Sequence, residues 1–299
     1  MNILITGVAG FIGSRFADYL INTYNNLNII GVDSLFGGYI ENVNEHVVFF
    51  KRDISKETLS DIFEKYSIDY VYHFAAYAAE GLSPFMRKYN YINNMGSTAE
   101  IINCCINYKV KRLIYISSNS VYGKGITEGQ LFNEDDQPKP IDPYAISKYA
   151  CELDIQVAGE QHGLDWCIIR PHNVFGEKQN IWDSYRNVIG IWMLNSLENK
   201  PITIYGDGKQ TRAFTYIDNI LEPLYNAMGK SSASKQIINL GGIECHSLNE
   251  LAILVSNITG NPNIQHKEAR YEVKNAIPSH EKSINILNYK EHISVEKGI

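Results

Sequence analysis

The sequence predicts an α/β protein with a doubly wound parallel sheet, and three observations support this fold class. Short apolar strands alternate with helical patterns through the first half of the chain. A glycine-rich turn, between Gly7 and Gly13, joins the first strand to the first helix. Small or polar residues follow the strands, at the edge of the sheet where doubly wound proteins bind their ligands.

The predicted strands are short apolar runs, and the predicted helices lie between them. We expect strands over Asn2–Thr6, Asn28–Val32, Val47–Lys51, Tyr70–Phe74, Arg112–Ser117, Trp166–Arg170 and Thr203–Tyr205. We expect helices from the glycine-rich turn to about Thr23, over Ser55–Tyr66, from Asn93 to about Asn107, from Tyr144 to about Glu160 and from about Arg186 to Glu198. This alternation is typical of parallel sheets, because parallel strands need a crossover connection.

The composition is that of a soluble globular protein. Hydrophobic residues make up 44% of the 299 positions and charged residues 20%, and the net charge is −6. We therefore expect no nucleic-acid partner. No apolar run approaches the ~20 residues of a membrane helix, and a strand that begins at Asn2 leaves no room for a signal peptide. The five cysteines form no Cys-x-x-Cys, which indicates a reducing cytoplasm and no metal site.

The glycine-rich turn predicts a site for a dinucleotide. Gly7, Gly10 and Gly13 stand three apart, so the backbone can turn tightly, approach a pyrophosphate and pack the helix on the strand. Phe11 and Ile12 open the helix, whose free N–H groups would face the phosphates. A glycine motif alone is a weak signal, but here it lies between a strand and a helix.

Carboxylates follow the second and third strands. Asp33 stands about 20 residues after Gly13, where a carboxylate bonds the ribose hydroxyls of NAD and repels the 2′-phosphate of NADP. Residues 34–38 contain no Arg or Lys, which favours NAD, although Arg15 lies near the turn. Asp53, with Ile54 beside it, is placed where a carboxylate can reach the adenine edge.

The fourth strand ends in small residues. Ala75 and Ala76 follow Phe74 and would let the backbone approach the cofactor closely. His73 is a candidate ligand by residue type, but we interpret it as a packed strand-end residue. Ser118 follows the fifth strand at the same edge of the sheet.

A tyrosine and a lysine four residues apart predict an acid/base pair. Asp142 is a good helix N-cap and Pro143 suits the first helical position, so Tyr144 and Lys148 share one helix face. An ammonium close to a phenol lowers the phenol's pKa from its usual value near 10. Such a pair takes a proton from a hydroxyl while a cofactor takes the hydride. A second Tyr-x3-Lys pair, from Tyr205, spans a turn and has the wrong geometry.

Eight segments of the chain resemble one enzyme superfamily when taken together. They are TGVAGFIGS (6–14), Asp33, DI (53–54), HFAA (73–76), SSNSVYG (117–123), DPYAISKYACE (142–152), RPHNVFG (170–176) and PITIYGDGKQTRAFTYIDN (201–219). Over nearly its whole length the chain resembles the extended short-chain dehydrogenase/reductases, specifically the nucleotide-sugar epimerases and dehydratases.

The resemblance implies roles for individual residues. Ser118 would donate a hydrogen bond from its hydroxyl, Tyr144 would be the acid/base, and Lys148 would tune Tyr144 and anchor the ribose. With the strand-end positions above, the expected NAD-binding residues are Gly7, Gly10, Phe11, Ile12, Gly13, Asp33, Asp53, Ile54, Phe74, Ala75, Ala76, Asn93, Ser117, Tyr144, Lys148 and Pro171. The expected substrate-binding residues are Ser118, Asn173, Arg186, Tyr205, Arg212 and Arg270. The planar, bidentate guanidinium groups suit a diphosphate.

The resemblance also implies the organisation of the chain. We expect a Rossmann NAD-binding domain over residues 1–169, to which a segment near 213–229 returns, and a smaller α/β substrate lobe over residues 170–299. The resemblance implies a homodimer built from helices near 97–107 and 145–160. Small and apolar residues on the second of these helices, such as Ala150 and Ile155, agree with such a contact. UDP is the expected nucleotide of the substrate, and the sequence does not determine the sugar.

Three residues after the fifth strand separate the members of this family. The 4,6-dehydratases carry a Thr-Asp-Glu run there, whose acids eliminate water, whereas this chain has Ser118-Asn119-Ser120. It therefore resembles the UDP-glucose/galactose 4-epimerases, which act through a transient 4-keto sugar. A nucleotide-4-keto-sugar reductase that consumes NAD(P)H is the alternative enzyme. A regulatory NAD-binding protein is the alternative of another class, although such relatives usually lose the Tyr or the Lys.

Overall fold

The computed structural model describes residues 1–123, 131–183, 187–269 and 275–299, with the backbone alone at 275 and 276. The strands are β1 (Asn2–Thr6), β2 (Asn28–Asp33), β3 (Val48–Lys51), β4 (Tyr70–His73), β5 (Arg112–Ile116), β6 (Trp166–Pro171), β7 (Val174–Phe175), β8 (Ile202–Tyr205), β9 (Thr211–Ala213), β10 (Thr215–Tyr216), β11 (Gln236–Leu240), β12 (Cys245–Ser247), β13 (Ile264–Lys267) and β14 (Asn275–Ala276). The α-helices are α1 (Phe11–Thr23), α2 (Ser60–Tyr66), α3 (Arg87–Tyr91), α4 (Ser97–Asn107), α5 (Pro143–His162), α6 (Val188–Leu197), α7 (Asp218–Gly229), α8 (Leu248–Thr259), α9 (Glu281–Leu287) and α10 (Val295–Gly298).

Seven strands form one sheet in the order β11-β6-β5-β4-β1-β2-β3. Every neighbouring pair in this sheet is parallel. The chain winds outwards from β1 in one direction and from β4 in the other, so the strand order reverses between them. This architecture confirms the predicted α/β fold with a doubly wound parallel sheet, and it brings the carboxyl ends of the strands to one edge.

Helices cover both faces of the sheet, because side chains alternate between the faces along each strand. In β1, Ile3 and Ile5 belong to a core with α1 and α7, while Leu4 belongs to a second core with α2, α4 and α5. In β5, Ile114 faces the first core and Tyr115 the second. Both cores consist mainly of buried apolar side chains, so the sheet is covered as its sequence pattern predicts.

Most predicted elements lie within two residues of the observed ones, and the largest differences have local causes. The helix expected from Ser55 begins at Ser60, because residues 53–57 first form a turn in which Asp53 accepts backbone hydrogen bonds. The helix expected from Asn93 begins at Arg87 and contains a π-helical turn over Ile92–Gly96 before α4. One strand of the large sheet, β11, has no counterpart among the predicted strands.

A smaller group of elements packs around a third core, formed by α6, α8 and α10 with β8 and the segment around Phe214. Here β8 pairs with β13, and β9 lies between β12 and β14. In contrast, α7 and β11 pack with the large sheet although they follow β9 and β10 in the chain. The boundary near residue 169 stays a prediction.

The helix of the Tyr-x3-Lys pair begins as its sequence predicts. Asp142 accepts a hydrogen bond from the backbone N–H of Ala145, 2.9 Å away, and Pro143 occupies the first turn of α5. Gly163, with φ of +73°, ends the helix in the left-handed conformation. Within the described ranges, no helix combines the length and apolar character needed to cross a membrane.

Candidate active site

The glycine-rich turn packs so closely that it excludes side chains. Gly7 has a φ of +71° and donates its N–H to the carbonyl of Val32, 2.8 Å away. A Cβ on Gly7 would lie 2.8 Å from the backbone nitrogen of Ala75, and a Cβ on Gly13 would overlap the carbonyl oxygen of Gly7. Among the described residues, no side chain caps the first turn of α1. Free N–H groups beside such a turn fit the pyrophosphate of a dinucleotide.

Asp33 lies at the end of β2 and organises the loop that follows. Its Oδ2 accepts from the backbone N–H of Ala9 at 3.0 Å, and its Oδ1 from that of Leu35 at 2.8 Å. Burial raises the pKa of this carboxyl, and the two N–H groups counteract that rise. Each oxygen keeps one acceptor position for a ribose hydroxyl. The nearby cation, Arg15, is instead bonded to Asp218 at 2.7 Å.

Asp53 is engaged within its own turn. Its Oδ1 accepts from the backbone N–H and the hydroxyl of Ser55, and its Oδ2 lies 2.6 Å from the ammonium of Lys56. Ile54 is buried in the core with α2 and α4. A contact between Asp53 and adenine stays a prediction.

His73 is a buried, neutral member of a hydrogen-bonded chain. Its Nδ1 lies 2.7 Å from the Thr6 hydroxyl, which also accepts from the backbone N–H of Ala75, and its Nε2 lies 3.1 Å from the hydroxyl of Thr98. Burial and the nearby Lys148 lower the pKa of His73 to about 3. These hydrogen bonds fix the ends of β1 and β4 relative to each other, so the positions of the small residues that follow the strands are fixed as well.

The described residues contain no cluster suited to a metal ion.

The predicted catalytic residues meet at the end of β5. The Lys148 ammonium is buried and donates to the carbonyl of Ile116 at 2.7 Å. It lies 4.9 Å from the ring centroid of Tyr115 and 6.0 Å from that of Tyr144. Desolvation lowers the pKa of Lys148 to about 8. Ser118 stands two residues beyond the end of this strand, and its Oγ accepts from the backbone N–H of Ser120.

The π-helical turn after α3 holds two neighbouring asparagines in different roles. Asn93, which the sequence predicts as a cofactor ligand, is half-buried and donates from its amide to the carbonyl of Tyr89 at 2.9 Å. Asn94 is buried, accepts from the backbone N–H of Tyr77 at 2.7 Å and donates to the hydroxyl of Ser147 at 2.9 Å. Asn94 therefore joins this turn to α5, the helix that carries Tyr144. Such π-helical turns occur frequently at functional sites.

Three of the predicted substrate residues lie in or beside the short strands β7, β8 and β9, whereas Ser118 follows β5. Asn173 has a φ of +42° and donates from its amide to the carbonyl of Ala213 at 2.8 Å. Arg212 is half-buried next to Ala213 in β9, and Tyr205 ends β8. Pro171 ends β6 opposite Leu240. Arg186 and Arg270 lie outside the described residues.

Comparison with known proteins identifies the family. The model of the NAD dependent epimerase/dehydratase family matches residues 3–241. The chain belongs to this family. The predicted resemblance and the prediction of NAD are thereby confirmed.

Named relatives of this family member include an epimerase and a dehydratase. A putative UDP-glucose 4-epimerase of Methanocaldococcus jannaschii is 30% identical over 99% of this chain and 95% of its own length. A dTDP-D-glucose 4,6-dehydratase of Dictyostelium discoideum is 37% identical over 73% of this chain, and the match spans 53% of that relative. A crystal structure of a UDP-glucose 4-epimerase with UDP-glucose from Thermotoga maritima has a TM-score of 0.94 and 30% identity, covering 100% of this chain and 96% of its own.

Sequence reasoning did not identify Ser83 as a residue that supports the site. It is fully buried in the short helical segment Glu80–Phe85, and its hydroxyl accepts from the backbone N–H of Tyr144 at 3.2 Å. The same hydroxyl donates to the carbonyl of Glu80 at 2.8 Å. Ser83 thus supplies a second cap to α5 from another part of the chain. No local pattern in the sequence indicates this contact.

A buried ion pair beneath the site was also missed. Arg170 and Glu152 are 1% and 0% exposed, and their Nη2 and Oε2 atoms lie 2.6 Å apart. Both residues stand inside segments that carry the family resemblance, with Glu152 four residues after Lys148 on α5. That spacing places Glu152 on the same helix face as Lys148, which is the signal that could have revealed it.

The close packing of the turn predicts that Gly13→Ala weakens NAD binding roughly 10- to 100-fold, the equivalent of about one charge-assisted hydrogen bond. The added methyl group overlaps the Gly7 carbonyl, so the turn must shift away from the pyrophosphate. Calorimetric titration of the cofactor-free protein with NAD measures the loss. Gly229→Ala is the matched control, because its Cβ would meet no described atom within 4 Å. Equal affinities for both variants would contradict the prediction.

Burial of the Lys148 ammonium predicts a pH-dependent cost in stability. With the folded-state pKa lowered to about 8 from the usual 10.5, the free energy of unfolding is reduced below pH 8 and recovers as the pH rises to 10.5. The full cost is about 3 kcal/mol. We expect Lys148→Met to stabilise the cofactor-free protein by about 2 kcal/mol near neutral pH, after loss of the hydrogen bond to Ile116.

Urea unfolding of both proteins, near neutral pH and near pH 10.5, measures this difference. It should fall by about 3 kcal/mol at the higher pH, where only the lost hydrogen bond to Ile116 remains and the variant is the less stable protein. Lys65→Met, on the exposed face of α2, is the control and should change stability by less than about 0.5 kcal/mol at either pH. A Lys148→Met protein that is less stable than the wild type at neutral pH would refute the argument.

Proposed function

We propose that this chain is an NAD-dependent epimerase that inverts C4 of a UDP-hexose, of the UDP-glucose/galactose type, through a transient 4-keto sugar. The observation that carries the proposal is the turn after β5. It presents Ser118, Asn119 and Ser120 beside the Tyr144–Lys148 pair and contains no carboxyl group. Elimination of water from a sugar requires such acids, so the site suits epimerisation. The full-length similarity to two proteins named as UDP-glucose 4-epimerases supports the same conclusion.

The chain's own residues supply the proton chemistry. Tyr144 removes the proton from the C4 hydroxyl and later returns it to the 4-keto oxygen. The cationic form of Lys148 favours the phenolate of Tyr144 during the first step. Ser118 donates a hydrogen bond to the C4 oxygen as charge develops on it. Bound NAD would supply the redox chemistry at C4, as the temporary acceptor of the hydride.

Inversion requires that the sugar presents its opposite face between the two steps. Rotation about an anchored diphosphate achieves this without release of the 4-keto sugar. Asn173, Arg212 and Arg270 are the proposed diphosphate ligands, with Arg186 and Tyr205 as further candidates. The loop of Asn173 and strand β9 are joined by the bond to Ala213, which supports a shared role.

The reductase alternative uses the same catalytic residues but consumes NAD(P)H in each cycle. The epimerase retains its NAD and needs no external reductant. A reaction without added reductant therefore separates the two enzymes, and bound NAD without turnover of any hexose substrate would favour the reductase.

The decisive experiment incubates the purified protein, without reductant, with UDP-glucose, UDP-N-acetylglucosamine or UDP-glucuronate and resolves the C4 epimers by chromatography. We expect interconversion to equilibrium for one of them. Tyr144→Phe should reduce the rate at least about 100-fold while NAD still binds. Tyr149→Phe is the control, because Tyr149 lies on the same helix with its hydroxyl bonded to Gln137 at the surface. Unchanged activity in Tyr144→Phe would overturn the proposed mechanism.

We further propose that residues 1–169, joined by α7 and β11, bind the cofactor and that the remainder of residues 170–299 binds the sugar nucleotide. The packing of α7 and β11 on the large sheet supports this division. We place the protein in the cytoplasm, which the free thiols of all five cysteines support.

A homodimer through α4 and α5 is also part of the proposal. Ile155, which agrees with a dimer by residue type, is 0% exposed and packs in its own chain's core, so it gives the interface no support. The outward face of α5 instead carries Ile146, Leu153 and Val157, which are 40–47% exposed. Their spacing of seven and four residues forms one stripe on the helix. An apolar stripe on a long surface helix supports helix-to-helix contact with a second copy.

The dimer proposal predicts that Leu153→Asp produces a monomer, because a charge in the centre of an apolar helix contact remains without a partner. Light scattering coupled to size-exclusion chromatography measures the mass. Leu197→Asp on α6 is the control, since Leu197 is 74% exposed and lies outside this stripe. A Leu153→Asp protein with the same mass as the wild type would remove α5 from the interface.

A further inference from the structure

The buried pair of Arg170 and Glu152 joins the two structural elements that carry the reaction. Glu152 lies on α5, one turn beyond Lys148, and Arg170 lies near the carboxyl end of β6. The contact is bidentate, with Nε to Oε1 at 3.0 Å and Nη2 to Oε2 at 2.6 Å. A pair of this kind is geometrically specific, because the planar guanidinium and carboxylate must align.

Glu152 also holds the backbone that forms the catalytic edge. The hydroxyl of Ser117 donates to Oε1 of Glu152. Ser117 stands between Ile116, whose carbonyl receives the Lys148 ammonium, and Ser118, the proposed hydrogen-bond donor to the C4 oxygen. The orientation of one buried carboxylate therefore sets the direction of both neighbouring groups.

Arg170 holds the other end of the same turn. Its Nη1 donates to the hydroxyl of Tyr122 at 2.8 Å, and its guanidinium lies 4.8 Å from the centroid of that ring. Tyr122 ends the helical turn that Ser118 caps, and its hydroxyl donates to Oδ1 of Asn239 in β11 at 2.7 Å. The turn is thus attached at its start through Ser117 and at its end through Tyr122.

Stability alone does not account for this arrangement. Removing two charges from water costs several kcal/mol for each ion, and replacement of a buried ion pair by apolar residues of similar size is often neutral or stabilising. This pair is 0–1% exposed and is attached to both ends of the turn after β5. Its main contribution is therefore to fix the geometry of that turn.

We propose that Glu152 and Arg170 are positioning residues for the reaction, which together with Ser117 hold the Ile116 carbonyl and Ser118 in register with Lys148 and Tyr144. This inference rests on the proposed function, since it assigns the groups around the same catalytic pair.

Glu152 contributes to the electrostatics of Lys148 as well. The charged or titratable groups facing Lys148 are Cys151, Glu152 and Tyr144 on its own helix, Tyr115 on β5 and the neutral His73 on β4. Desolvation lowers the pKa of Lys148, while Cys151 and the carboxylate of Glu152 raise it. Loss of that carboxylate should therefore move the Lys148 titration to lower pH.

The first test is Ser117→Ala, which keeps the ion pair and removes only its bond to the catalytic edge. We expect kcat to fall about 10- to 100-fold, as for a misplacement of about 1 Å, with KM changed by less than about 3-fold. The melting temperature should fall by only a few degrees, the effect of one lost hydrogen bond in a chain of this size. An unchanged kcat would overturn the role of Ser117 as the link.

The second test replaces the whole pair, as Glu152→Leu with Arg170→Met. If the pair serves stability alone, a double variant that folds should have the melting temperature and the kcat of the wild type. We expect instead that the double variant folds but has a kcat as low as that of Ser117→Ala. We also expect the pH profile of its kcat to lie at lower pH than that of the wild type. A double variant with wild-type kcat and profile would refute the proposal. If it does not fold, the Ser117→Ala result decides.

A matched control is Arg112, at the opposite end of β5 from Ser117. Arg112 begins β5, forms an ion pair with Asp165 at 2.8 Å and donates to the carbonyls of Ala227 and Met228. Arg112→Met should lower the melting temperature while kcat and the pH profile of the folded protein stay unchanged. A kcat loss equal to that of Ser117→Ala would mean that general destabilisation explains both.

Binding of NAD provides a readout that does not depend on the sugar. The dissociation constant for NAD, measured by fluorescence titration from about pH 6 to 10, reports the Lys148 titration when Lys148 anchors the ribose. If the wild type binds NAD but converts no UDP-sugar, the proposed function fails. The positioning role then stands if the double variant shifts this titration to lower pH, and it fails if the titration is unmoved.

Discussion

The proposed catalytic side of this protein depends on one buried interaction, the hydrogen bond from the Lys148 ammonium to the carbonyl of Ile116. A cation removed from water is costly, and the lowered pKa of Lys148 records that cost. The carbonyl and the rings of Tyr115 and Tyr144 replace only part of the lost hydration. The position of α5 against β5 thus places a charge where the folded protein tolerates it poorly and where the chemistry needs it.

The cofactor side depends on a steric constraint instead. Backbone atoms around Gly7, Gly13 and Ala75 approach so closely that no side chain fits between them. Asp33 and His73 then fix the neighbouring loops through hydrogen bonds that are almost entirely buried. The result is a tightly packed edge at the start of α1, where the N–H groups of the first helical turn suit the phosphates of a dinucleotide.

Overall identity and local chemistry point in different directions within this family. The chain is 37% identical to a dehydratase over part of its length and 30% identical to a named epimerase over nearly all of it. Membership of the family does not by itself decide between the two reactions, because function depends on individual side chains of the site. Three side chains after β5, rather than the percentage of identity, carry the proposed distinction.

The sequence by itself determined the features that depend on short-range spacing. The alternation of strands and helices, the turn from Gly7 to Gly13 and the capped start of α5 at Asp142 all follow from local geometry. The tertiary structure alone decided which distant groups meet: Ser83 at the start of α5, Arg170 with Glu152, and Ile155 in the core rather than at an interface. These contacts depend on how whole elements pack, and no periodic pattern within one segment encodes that packing.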